Sequence, residues 1–116
     1  MQDHDQAVNK GKENEISGTI LNSSEQPYTN DITIIIKAYK KITTGGYVTK
    51  TLTDEEGQFT LEALSPDETY QLRVVAIRNG IVVKDQWVGE SNIGVEGRSG
   101  AKEFRTLESL VFTFGE

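Results

Sequence analysis

Thr51-Leu52-Thr53-Asp54-Glu55-Glu56-Gly57-Gln58-Phe59-Thr60-Leu61-Glu62-Ala63-Leu64-Ser65-Pro66-Asp67-Glu68-Thr69-Tyr70-Gln71-Leu72-Arg73-Val74-Val75-Ala76-Ile77 decides the fold. Asp54-Glu55-Glu56-Gly57 is a polar turn, and its Gly supplies the positive φ that a tight turn needs. Residues 47–52 before it are rich in β-formers. After it Phe59 and Leu61 alternate with Gln58, Thr60 and Glu62, so the pair reads as a β-hairpin. Pro66 cannot donate a ladder hydrogen bond and turns the chain. Tyr70, Leu72, Val74 and Ala76 then fall on one face of a strand, with Gln71 and Arg73 on the other.

Outward from this stretch the period of two continues. Upstream, residues 15–21 form a first strand, and Asp31 to Tyr39 a second. In the second, Ile32, Ile34, Ile36 and Ala38 share the expected core face, while Thr33, Ile35, Lys37 and Tyr39 share the other. Lys40-Lys41 leads to a flexible turn at Thr43-Thr44-Gly45-Gly46. Downstream, Asn79-Gly80 between apolar runs is a hairpin signal. Ile81 to Val88 follows as a strand, and Leu110, Phe112 and Phe114 share a face of the last one. The expected strands are seven, near 15–21, 31–39, 47–53, 58–62, 70–78, 81–88 and 105–114, with no helical period. The class is all-β, a single antiparallel sandwich over 15–116.

Residues 1–14 hold too little apolar surface to offset chain entropy and read as a disordered polar leader or linker. His4, the single histidine, lies there between Asp3 and Asp5 and reads as part of a solvated terminus. The 116 residues suit one domain. The net charge of −6 argues against phosphate-backbone contacts with nucleic acid and against anionic membrane surfaces. No run approaches the ~20 apolar residues of a membrane helix, and the acidic start is no signal peptide. Without cysteine there is no disulfide, thiolate nucleophile or zinc–thiolate site.

Chemistry would have to come from carboxylates. Asp54, Glu55 and Glu56 share one turn, Asp67 and Glu68 another. They lack the alternating ligand spacing of a calcium loop and read as solvated turn charges. The expectation is therefore no enzyme, no cofactor and no metal. Asn22-Ser23-Ser24 matches a glycosylation triplet, which matters only in a eukaryotic secretory pathway. Gly89 to Lys102, with four glycines, is a long loop without the strand-to-helix setting of a phosphate loop. It is either a binding loop or a mobile connection. The expected contact residues are Tyr39, Tyr47, Trp87, Asn92, Arg98 and Phe104, aromatics on strand ends together with that loop. Trp87 reads as half-buried core ahead of a sugar platform.

Leu64-x-Pro66-x-x-x-Tyr70 leading into a strand resembles the tyrosine corner of immunoglobulin-like sandwiches. Thr53-Asp54-Glu55-Glu56-Gly57-Gln58-Phe59-Thr60-Leu61, then Leu64, Pro66, Tyr70 and Leu72, resembles the carboxypeptidase regulatory-like (prealbumin-like) β-sandwich family. That family carries T-D-x-x-G-x-F-x-L and then L-x-P-G-x-Y-x-L. Ile16-Ser17-Gly18-Thr19-Ile20, with Pro27 after it, resembles its opening strand, so the likeness spans about 15–90. Asp67-Glu68 stands where the family usually has Gly. The resemblance implies a seven-stranded Greek-key sandwich of immunoglobulin/prealbumin type, with Gly57, Pro66 and Tyr70 in structural roles. It implies a non-catalytic accessory module of a larger bacterial surface or secreted protein, which binds glycan or protein or acts as a spacer. Separately, the chain is expected to be monomeric in isolation.

Two other likenesses are looser. Residues 16–75, with Ile32 to Ala38, Thr43-Thr44 and Asp54-Glu55-Glu56-Gly57, resemble the N-terminal domain of prophage tail fibres, which would make the chain a tail or baseplate attachment domain. Leu64-Ser65-Pro66 and Tyr70 to Val74 resemble fibronectin type III, where one strand follows the corner strand instead of two. Hydroxyisourate hydrolases share only the transthyretin-like fold; their histidines and C-terminal Tyr-Arg-Gly-Ser have no counterpart. A Lys–Asn isopeptide cross-link is not expected, since Lys12 precedes the first strand and 107–114 holds no Asn or Asp.

Overall fold

The computed structural model describes residues 11–41 and 45–115. Of the leader, residues 1–10 with His4 lie outside the described residues, as does Thr43-Thr44 of the turn before Gly45. Gly11–Asn14 is a single 3-10 turn. The Asn14 carbonyl accepts a hydrogen bond from Leu64 N–H at 3.0 Å, so the described order begins ahead of residue 15.

Eight strands are described: β1 (Ile16–Leu21), β2 (Ile32–Lys40), β3 (Thr49–Leu52), β4 (Gln58–Leu61), β5 (Tyr70–Arg78), β6 (Ile81–Val88), β7 (Gly94–Val95) and β8 (Ser109–Thr113). They form a three-stranded sheet in the order β4-β1-β8 and a five-stranded sheet in the order β3-β2-β5-β6-β7. Two expectations need correction. The eighth strand, β7, lies inside the Gly-rich loop and is too short to show alternation. The sandwich is also not wholly antiparallel, because β1 and β8 run parallel from Ser17↔Ser109 to Leu21↔Thr113. Parallel neighbours need a long crossover, here nearly the whole chain, and no local pattern encodes that pairing.

Alternation places the core. Ile34, Ile36 and Ala38 of β2 meet Leu72, Val74 and Ala76 of β5 on the inner face of the large sheet. Ile16, Ile20, Phe59, Leu61, Leu110 and Phe112 line the inner face of the small one. Gly18 stands opposite both Phe59 and Leu110, and a side chain there would come within 2.3 Å of the Leu110 carbonyl oxygen. The glycine lets the Phe59 ring lie across β1.

The turn at 54–57 is held from within. The Asp54 carboxylate accepts from the N–H groups of Glu56 and Gln58, both at 2.9 Å. Gly57 has φ +80° and donates to the Asp54 carbonyl, while its own carbonyl takes the Ile20 N–H at 2.8 Å. At the far end Tyr70 is 1% exposed, and Ser65 N–H, five residues upstream, donates to its hydroxyl at 2.7 Å. Asn79 and Gly80 both take positive φ, as a two-residue hairpin turn requires.

Candidate functional site

The side chains that β2, β5 and β6 turn away from the core gather into a second layer. Register sets Tyr39 opposite Gln71, and Lys37 opposite Arg73, which in turn faces Trp87. The Tyr39 and Trp87 rings lie 4.8 Å apart at 55°, and Tyr47 meets Tyr39 edge-on at 6.5 Å. Such offset and edge-to-face pairs suit the ring quadrupoles. Arg73 stacks 5.6 Å from the Trp87 ring and holds Asp85 through two 2.7 Å bonds, Nε to Oδ1 and Nη2 to Oδ2. Those bonds to Asp85, then the Tyr39 hydroxyl within 3.4 Å of Nη1, push the Arg73 pKa up. Arg73 is a fixed positive charge at any accessible pH.

The Gly-rich loop closes over this layer. Lys102 N–H donates to the Val88 carbonyl at 2.8 Å and Gly89 N–H to Ile93 at 2.9 Å, so both ends are pinned. Between them Arg98 reaches back across the sheet. Its Nε donates to Gln71 Oε1 at 2.8 Å and its Nη2 to the Lys40 carbonyl at 2.9 Å. Gln71 Nε2 returns a bond to the Arg98 carbonyl at 3.3 Å. The guanidinium lies 5.1 Å from the Tyr39 ring and 5.2 Å from Trp87. Trp87 is left 8% exposed and Tyr39 7%. The loop is thus an ordered cover among the described residues, and the tryptophan it covers has no open ring face.

The expected contact residues therefore divide. Tyr39, Trp87 and Arg98 come together with Tyr47, and of the four Tyr47 is the open one, at 42% exposure. Lys37 and Lys50 each place Nζ 5.4 Å from its ring centre. Phe104 is corrected: at 2% exposure it is core, its backbone paired with Tyr70, and no partner can reach its ring. Phe104 stands between the Gly89–Lys102 loop and the last expected strand, where no alternation shows which way its ring turns. Asn92 belongs to another face, beside Ser17, Thr19 and Ser109 on the small sheet, with its Oδ1 3.4 Å from Lys102 Nζ. Arg73, Asp85, Gln71, Lys37 and Lys50 are the members that the sequence analysis did not name as contacts. Their signal was the period: Lys37 and Tyr39 share one face of β2, Gln71 and Arg73 one face of β5, and pairing these strands unites them.

The carboxylates on turns do not converge. Asp54, Glu55 and Glu56 are exposed, and Asp54 is occupied with its own turn. Among the described residues no group of three or more His, Cys, Asp or Glu is placed to hold a metal ion. No described helix is long and apolar enough to cross a membrane.

No protein-family model and no curated protein matches the chain. Among solved structures it is similar to an alternative pilotin from the type II secretion system of Vibrio cholerae, at 11% identity and a TM-score of 0.45 over 84% of this chain and 94% of that one. It is also similar to a 9R-lipoxygenase from Cyanothece PCC8801, at 17% identity and a TM-score of 0.43 over 87% of this chain but 16% of the lipoxygenase. Likeness this distant carries no argument about function.

Proposed function

We propose that the chain is a non-catalytic accessory β-sandwich module of the carboxypeptidase regulatory-like kind, carried by a larger surface or secreted protein, and that it works by binding. The observation behind this reading is the outer layer of the five-stranded sheet. There Tyr47 stands open beside Lys37 and Lys50, on a base of Tyr39, Trp87, Arg73 and Arg98 locked by rings and hydrogen bonds. A rigid base with one exposed aromatic and two lysines is a contact surface prepared in advance, and preorganisation lowers the cost of binding. The family likeness of residues 15–90 supports the accessory role.

The partner is a protein or an anionic glycan rather than a neutral sugar. Sugar stacking needs an open ring face, which Trp87 lacks and which the two lysines crowd at Tyr47. An amide-resolved NMR titration with neutral oligosaccharides, sulfated oligosaccharides and acidic peptides tests the reading. Shifts are expected at Tyr47, Lys37 and Lys50 with the charged probes and none with the neutral sugars. Silence from every probe would leave a spacer. Shifts confined to the small sheet around Asn92 would move the site there.

A further inference from the structure

The binding surface ends at a free sheet edge. Among the described residues β3 is the outermost strand of the five-stranded sheet and pairs only with β2. The bond from Thr53 N–H to the Ile34 carbonyl (3.2 Å) fixes which backbone groups face inward. Antiparallel ladders alternate, so Thr51 and Thr53 turn their N–H and C=O toward β2, while Lys50 and Leu52 turn theirs outward. Both of those residues are exposed, Leu52 at 58%. Beyond them an open groove, lined by Thr51, Leu52, Gln58, Thr60 and Glu62, separates β3 from β4, the edge of the other sheet.

The side chains add a charge to this edge. Lys50 stands directly opposite Lys37, and Lys37 opposite Arg73, so three cations lie in one row across β3, β2 and β5. Arg73 has Asp85. Lys37 and Lys50 have the Tyr47 ring, and no carboxylate within ion-pair distance among the described residues. Like charges directly opposite on neighbouring strands are destabilising, and the chain as a whole carries −6. On an acidic protein, a cationic pair with no carboxylate partner among the described residues, beside outward-facing backbone groups, is complementary to an extended chain with carboxylates.

We infer that β3 is a docking edge: an extended acidic segment of a partner protein adds as a further strand beside it, setting a Glu or Asp against Lys50 and Lys37 and an apolar side chain, two positions away, on Leu52. The inference rests on the reading of this chain as a binding module and names its partner. Side chains two apart share a face, which gives the acid-x-apolar spacing. The backbone edge favours a peptide over a polysaccharide, because only a peptide can complete the ladder. A second copy of this chain is the poorer occupant. Antiparallel self-pairing of β3 pairs residues of like parity and sets Lys50 against Lys50 or Leu52, which leaves the cations unmatched and is how edge lysines deter self-association.

The test is a titration of the chain, at low ionic strength, with a capped heptapeptide of sequence Thr-Glu-Thr-Val-Thr-Glu-Thr. The same peptide with Lys for Glu and a short sulfated oligosaccharide serve as comparisons. Strand addition predicts shifts and slowed hydrogen exchange at the amides of Lys50 and Leu52, at least roughly tenfold weaker binding of the lysine peptide, and loss of affinity as salt rises. The double variant K37E/K50E, checked for an intact amide spectrum, should reverse the preference between the peptides. K37Q/K50Q should bind neither with preference. Equal binding of both peptides by the native chain overturns the inference. So do shifts at Tyr47 and Arg73 without protection of Lys50 and Leu52, which would leave the binding reading standing. Response to the sulfated oligosaccharide alone overturns it too. No response to any probe overturns both.

Discussion

The five-stranded sheet has a buried inner face and an outer face only partly covered, made from alternate residues of the same strands and held by different forces. Inside, Ile34, Ile36, Leu72 and Val74 are buried by apolar contact alone. Outside, Tyr39 and Trp87 are nearly as hidden, yet two guanidinium groups, a glutamine and a carboxylate sit among them. The inner face excludes water without regard to direction. The outer layer depends on angles and donors, so it can be ordered, stay polar, and present charge at its rim. The same strands that hold the core position Arg73, Trp87 and Tyr39 behind Tyr47, which is why we propose the contact surface there.

Substitutions can break this comparison or refine it. Leu72→Ala, on the inner face, should cost about 4 kcal/mol, as lost transfer energy adds to an unfilled cavity. Urea unfolding would show it as a lowered midpoint with unchanged slope. Trp87→Ala should cost less, about 3 kcal/mol, because the Arg73 and Arg98 side chains border the vacated space and water can enter to solvate them. A loss for Trp87 greater than that for Leu72 would mean the outer layer is a second core rather than a supported surface. Arg98→Ala should cost about 1–2 kcal/mol through its bonds to Gln71 and the Lys40 carbonyl and its place over two rings. Its particular sign is faster hydrogen exchange in the Gly89–Lys102 loop, at the Gly89 and Lys102 amides, while the core amides of β2 and β5 stay protected. If exchange stays slow there, the loop is held by its own turns and not by Arg98. Tyr47→Ala should shift stability by under about 0.5 kcal/mol, since its ring is largely open, yet weaken binding of the charged probes. A Tyr47 variant that unfolds would show that the exposed rim is part of the support.

The central stretch also shows how far local reading reaches. Asp54 to Gly57 was legible because an Asx-type turn and a positive-φ Gly act within five residues. Tyr70 was legible because its hydroxyl bond closes on Ser65, next door in the chain. Phe104 was not, because an aromatic between the loop and the last strand carries no period, and its bridge to Tyr70 brings it inside. The outer layer was half legible. The faces of β2 and β5 could each be read, and Trp87 read as core ahead of platform and is buried; that its ring lies on the outer face, under the guanidinium groups of Arg73 and Arg98, could not be read.

By itself the sequence determined the all-β class, the strands through β6, the hairpin turns and the inner face, since each follows from alternation or turn chemistry over a few residues. The tertiary structure alone decided three things: that the first and last strands lie parallel, that the Gly-rich loop folds back as a cover, and that Arg73, Lys37 and Lys50 fall in one row running out to the β3 edge. Each of these joins residues far apart in the chain through register and backbone hydrogen bonding. Such pairings are set by which edges remain unpaired once the core has formed, and no local pattern of side chains records that.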